Sequence, residues 1–159
     1  TASINATAGV VLRNGSAVAN TLFHSTAGGA TENNENVFVS SSGATLAGPV
    51  SYLRGVSDRR ADGTSYDAAA PYATWATATY ARSTLSAWFA ADPRTNVGSL
   101  TALDLTDRGV SGRLIRVTLI GSKGTKTVSG DVFRAVFNAA RPAGAPMMRS
   151  TLVDLAPIP

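Results

Sequence analysis

The sequence predicts an α+β fold, an antiparallel β-rich sheet with hairpins and two short helices. Three observations carry that expectation. Tight-turn residues separate apolar runs at Asn14-Gly15 and at Gly121-Ser122-Lys123-Gly124, as hairpins require. Apolar residues alternate through Leu100–Leu105 and concentrate in Arg113–Ile120, as they do in strands that bury one or both faces. Two other segments space their apolar residues for a single helical face, with Leu85, Trp88 and Phe89 in one and Val132, Phe133, Val136 and Phe137 in the other.

The elements follow in order. The chain opens at Thr1 close to a strand, and the first two strands fall near residues 9–13 and 17–23. Asn14 and Gly15 between them both tolerate positive φ. Residues 24–48 are rich in Gly, Ser, Thr and Asn and read as loop, with a short turn or strand at Asn36–Val39. So long a loop in a small domain is usually functional or mobile. Pro49–Val56 reads as an extended segment ending at Asp58, and residues 57–71 as a second loop. Trp75–Tyr80 alternates large and small residues as a strand does. Ser83 is a good N-cap for the first helix, which Asp92-Pro93 closes. The strands at 100–105 and 113–120 follow, and Thr125–Val128 returns from the second hairpin turn. Ser129 caps the second helix over 130–138, residues 141–146 are loop, and Ser150–Leu155 is a last strand. There is no internal repeat and no linker that would divide the chain.

Composition removes several function classes. The 159 residues suffice for one domain, with 44% hydrophobic and 15% charged residues, a globular balance. With no Cys and one His, disulfide scaffolds, thiolate zinc sites and cysteine nucleophiles are excluded. The formal charge is +4, and twelve of the fourteen cations are Arg. They are scattered, with no basic stripe interleaved with aromatics, so nucleic-acid binding is not expected. A mild positive charge would suit an anionic polymer such as a cell-wall glycan, but on charge alone a plain solvated surface is the better reading. No apolar run reaches the roughly 18–20 residues of a membrane span. Without an initiator Met or a signal peptide, the chain reads as a mature, trimmed or excised segment. The glycosylation patterns at Asn5-Ala6-Thr7 and Asn14-Gly15-Ser16 carry little weight, since a hairpin turn explains the second.

The stretch richest in chemistry is His24-Ser25-Thr26-Ala27-Gly28-Gly29. Consecutive glycines let backbone approach a ligand closely, and nearby N–H and hydroxyl groups can bind sugar or carboxylate oxygens. The same residues also make a tight structural turn. No Lys-Ser/Thr pair follows, so this is not a phosphate loop. His24 reads as a structural or substrate-contacting residue, because no Cys or suitably spaced carboxylate completes a metal site. Glu32 and Glu35 are the only glutamates. Paired carboxylates can divide acid and base work on a glycoside, but spacing in a polar loop says nothing of the burial that raises a pKa. They read as solvated or hydrogen-bonding carboxylates. Trp75 and Trp88 could stack on sugars, and their spacing suits core positions better.

An ordered set of short motifs resembles the SpoIID/LytB family, stage II sporulation protein D and its relatives. It comprises Ala6-Thr7-Ala8-Gly9-Val10-Val11-Leu12, Asn14-Gly15, Phe23 through Glu32, Tyr52-Leu53-Arg54-Gly55-Val56 with Asp58, and Trp75 ahead of a Leu-containing helix. Ser111-Gly112-Arg113-Leu114, Ser129-Gly130 with Phe133-Arg134, and Arg149-Ser150-Thr151 complete it. The resemblance runs along nearly all of residues 1–159, taken as one portion of such a domain. It implies a bacterial, extracytoplasmic or cell-wall protein acting on peptidoglycan. Active relatives are lytic transglycosylases that cleave between N-acetylmuramic acid and N-acetylglucosamine, notably on strands stripped of stem peptides, and leave an anhydro sugar.

By that resemblance His24, Ser25, Thr26, Gly28, Gly29, Thr31 and Glu32 would form one wall of a glycan groove. The family's catalytic Glu lies upstream of the matched region, so no residue here is assigned as the acid, and a separate segment or chain would supply it. A non-catalytic glycan-binding or structural module is the alternative. Some relatives bind zinc through Cys and His in this loop. Ala27 stands where many have Ser or Cys, and only His24 remains, so neither metal nor cofactor is expected.

Overall fold

The computed structural model describes residues 2–155. It has the expected α+β class, with two antiparallel sheets and four helices, two of them of substantial length. The chain begins in a five-residue helix, α1 (Ala2–Ala6), not in a strand. The first hairpin forms where Asn14-Gly15 predicts it, but it is much shorter than expected. Only β1 (Arg13–Asn14) and β2 (Ala17–Val18) pair. The pairing puts Asn14 opposite Ala17, so Gly15 and Ser16 form the turn, with Gly15 at φ 60°. Glycine with positive φ at the first central position is the arrangement a type II′ turn uses. Every residue of this hairpin is exposed, and Val10, Val11, Leu12 and Val18 stay more than half exposed. That lack of burial is why the apolar runs do not extend into longer strands.

Residues 24–81 hold little regular structure. One helical turn, α2 (Asn34–Val37), lies where a short turn or strand was expected. Isolated bridges join Ala30 to Ser57, Val39 to Thr45 and Arg59 to Ser65. Trp75–Tyr80 does not form a strand. Its two aromatic ends pack instead against the core that follows.

The ordered centre is the unit that starts at α3 (Arg82–Ala90) and runs through β3 (Leu100–Asp104), β4 (Arg116–Gly121), β5 (Gly124–Ser129) and α4 (Gly130–Ala140). The three strands make an antiparallel meander with β4 in the middle. β4 and β5 pair from Arg116↔Ser129 to Gly121↔Gly124, leaving Ser122-Lys123 as the turn. Val117 and Leu119 alternate inward from β4 and are fully buried. α3 packs on β3 and on α4, and α4 packs on β4 and β5. Phe89 stacks on Phe133 with ring centroids 5.2 Å apart, while Tyr80, Trp88 and Phe137 form a second aromatic cluster at 4.6–5.9 Å. Rings at these spacings add to the apolar burial that holds helices and sheet together. Both tryptophans thus contribute to the core.

Helix ends follow the sequence unevenly. Ser129 caps α4 as predicted, accepting from the Val132 amide. α3 starts one residue ahead of Ser83, with Ala81 at the N-cap and no side-chain cap. Its far end is closed by Thr95, whose buried hydroxyl donates to Phe89 O at 2.7 Å. Arg94 beside it holds the Asp92 carboxyl down to about 2. Ser150–Leu155 is not a strand. It meets the sheet region through single contacts: the Leu114 amide donates to Thr151 O, Arg108 donates to Val153 O, and the Val153 side chain packs against the core. No helix among the described residues is long and apolar enough to cross a membrane.

Candidate functional site: a cleft beside the Gly-Gly loop

The 24–36 loop has almost no apolar burial of its own, so polar bonds must fix it. Gly28 and Gly29 take φ values of 68° and 94°, which only glycine adopts without strain. That curl exposes two successive amides, and the Asp67 carboxylate accepts from both, Ala27 N at 2.5 Å and Gly28 N at 2.9 Å. The Ser65 hydroxyl also donates to Asp67. Ser65 foremost and then the Gly28 amide hold the Asp67 carboxyl below its usual range. From the other side Arg113 donates to Ala27 O and Ala30 O. Further along, Thr31 exchanges bonds with Val56, and the Gly55 amide donates to Asn33 Oδ1. Buried Asn34 accepts from Val50 N and donates to Gly48 O. Three distant stretches, 48–58, 65–67 and 110–113, therefore shape one loop.

Glu32 is the centre of this bracing. Its carboxylate accepts from the amides of Asn33, Val110 and Ser111, from Asn36 Nδ2 and from the Ser111 hydroxyl at 2.6 Å. Gly109 lies directly against it, and any Cβ there would collide with the carboxylate. Burial pushes the carboxyl pKa up. The Ser111 hydroxyl, Asn36 and the Ser111 and Asn33 amides outweigh that and hold it below the usual range. Glu35 is partly buried and pairs with Arg54, which lowers its pKa as well. Both glutamates are thus stabilised as anions, the opposite of what a general acid requires.

Beside the loop lies an open cleft of about 710 Å³. Of the residues expected to line a groove, His24, Thr26, Thr31 and Glu32 do so. Ser25, Gly28 and Gly29 lie off the lining. The two glycines face the loop's own supports, Gly28 toward Arg113 and Leu152 and Gly29 toward the Arg59 guanidinium. Arg113, Arg134 and Arg149 also line the cleft, as do Phe23, Phe38 and Tyr52. These three aromatics are exposed, Phe23 at 96%. Residue types gave no reason to rank Phe23 or Tyr52 above Trp75 and Trp88, because exposure separates them and exposure is a tertiary property. Asp67, Asn33 and Asn34 carry no sequence signal of their roles, since a single Asp or Asn in a polar loop has no periodic signature. Among the described residues no three His, Cys, Asp or Glu side chains gather as metal ligands. Compared with known protein families, curated proteins and solved structures, the chain has no match.

Proposed function

We propose that this chain binds peptidoglycan glycan strands in the cleft beside the Gly-Gly loop. On this reading it is a SpoIID/LytB-like portion of a lytic transglycosylase that supplies the groove and not the catalytic acid. One observation carries the binding part. The cleft combines exposed aromatic faces at Phe23, Phe38 and Tyr52 with hydroxyl, amide and guanidinium groups from Thr26, Thr31, Asn36 and Arg113. Sugar rings present apolar C–H faces and polar edges, and such mixed surfaces fit both. The motif resemblance supplies the polymer's identity and an extracytoplasmic setting. The bracing of Glu32 and the pairing of Glu35 favour binding over cleavage for these 159 residues alone. An acid from another segment or chain would complete the enzyme.

Co-sedimentation with peptide-free peptidoglycan tests the proposal. The wild type is expected to pellet with the strands, and the double substitution Phe23→Ala and Tyr52→Ala to lose about tenfold in affinity or more, given roughly 1–3 kcal/mol for each exposed ring removed. Mass spectrometry of the supernatant is expected to show no anhydromuramyl product. Absence of wild-type binding would refute the binding reading, and robust cleavage would refute the separation of groove from acid.

A further inference from the structure

The first hairpin turn is open to chemistry. Asn14 is the only asparagine of the chain that precedes a glycine. Asn14 and Gly15 are both exposed. Among the described residues neither the Asn14 side-chain amide nor the Gly15 N–H has a hydrogen-bond partner. A Cβ on Gly15 would meet nothing within 4 Å. Other asparagines are held. Asn34 is buried, and its side chain donates to Gly48 O at 2.9 Å and accepts from Val50 N at 2.8 Å. Asn138 donates to Met148 O and accepts from the Met148 amide.

An asparagine side chain reacts with the backbone nitrogen that follows it when that nitrogen can reach Cγ. A side chain on the following residue crowds the approach, and glycine has none. The backbone must also leave its paired geometry for the two atoms to meet. Two paired positions, Arg13↔Val18 and Asn14↔Ala17, and a flanking bond from the Ala19 amide to Leu12 O close this hairpin. So short and exposed a hairpin is marginal and opens at little cost.

We infer that Asn14-Gly15 is a self-modification site, at which the chain deamidates and isomerises with water as the sole co-reactant. The Gly15 nitrogen attacks Asn14 Cγ. The N–Cγ bond forms, the Cγ–Nδ2 bond breaks, and the amide group leaves as ammonia with the Gly15 proton. Water then opens the cyclic imide at either carbonyl, and no electrons are transferred. Opening at Cγ gives aspartate. Opening at the main-chain carbonyl gives isoaspartate, whose backbone runs through Cβ and Cγ. Either product places a carboxylate beside Arg13 and lowers the formal charge of +4 by one. Isoaspartate also inserts a methylene into the main chain at a paired position, so the register of β1 on β2 is lost. Asn14 lines a small second cavity with Leu22 and Tyr52, and those two also line the cleft. The new charge therefore enters a wall next to the candidate site.

Incubation of the purified chain at mildly alkaline pH, followed by peptide mapping with mass spectrometry, tests the site. Most of Asn14 is expected to convert to aspartate and isoaspartate while Asn20 and Asn34 stay intact. Asn20 is exposed like Asn14 but precedes Thr21, so it controls for exposure, and Asn34 controls for burial. Labelling by isoaspartyl methyltransferase identifies the isoaspartate. Gly15→Ala should lose most of the conversion. Alanine at the positive φ of residue 15 loosens the turn, which by itself would speed the reaction, so slowing reports the shielded nitrogen. Survival of Asn14, conversion of Asn20 at the same pace, aspartate without isoaspartate, or undiminished conversion in Gly15→Ala would each overturn the inference.

Discussion

Glu32 shows how much structure one side chain can hold. Its five donors come from residues 33, 36, 110 and 111, so it ties the Gly-Gly loop to the turn ahead of β4. Glu32→Gln puts an NH2 group where only an acceptor fits, which is expected to cost about 1–3 kcal/mol in denaturant unfolding near neutral pH. The pH dependence has a definite sign. The folded pKa is depressed, so the stabilisation is complete above the unfolded value and disappears as pH falls through the folded one. Thermal melts of the variant should therefore lose less stability than the wild type on acidification, and parallel acid limbs would count against the lock. The sequence made Glu32 visible as one of two glutamates and through its place in a motif, but not its role. Its partners Val110 and Ser111 lie 78 and 79 residues away, and no local pattern encodes such a contact.

At the scale of elements, local chemistry was legible where it was also decisive. Ser129 offers an N-cap oxygen just ahead of a helix that buries Phe133, Val136 and Phe137, and propensity, capping and packing agree there. Ser129→Ala should lower stability by about 1 kcal/mol, read as a fall in Tm of roughly 2–4 °C, with the fold unchanged. An unshifted Tm would mean that the cap contributes nothing. Segments that need a distant partner are not legible from local pattern. Trp75–Tyr80 and Ser150–Leu155 have the residues of strands, yet no neighbouring edge is aligned to pair with them, and burial of single side chains fixes them instead. The helical turn Asn34–Val37 lacked any apolar period, because the Asn34 side chain positions it through bonds to Gly48 and Val50.

The whole molecule divides by the kind of force that orders it. From α3 to α4 apolar burial dominates, centred on Phe89, Val117, Leu119 and Phe133. From residue 24 to 81 polar bonds dominate. From residue 2 to 23 little of either is present, and Ile4, Leu12 and Phe23 remain largely exposed. Opening free energies should follow that order. Hydrogen exchange followed by mass spectrometry is expected to show rapid exchange across residues 2–23 and lasting protection in β4, β5 and α4. Uniform protection through the first hairpin would contradict the division. The antiparallel sheet and its two principal helices were readable because their cohesion comes from periodic apolar residues. The cleft was readable only as a list of chemically apt residues, because polar bonding leaves no period.

The bracing of the Gly-Gly loop also bears on the order of assembly. Arg113 reaches back 86 residues to Ala27 and 83 to Ala30, whereas β4, β5 and α4 are consecutive along the chain. Closing so long an intervening segment costs more entropy than pairing neighbours. During synthesis the loop must emerge and wait for residues 110–113 before it can take its final shape. The ligand-facing surface is thus completed late, on a scaffold whose own hairpin and helix can form without it. Trp75 and Trp88 both pack on that scaffold, so intrinsic tryptophan fluorescence would follow the scaffold and leave the last step unseen.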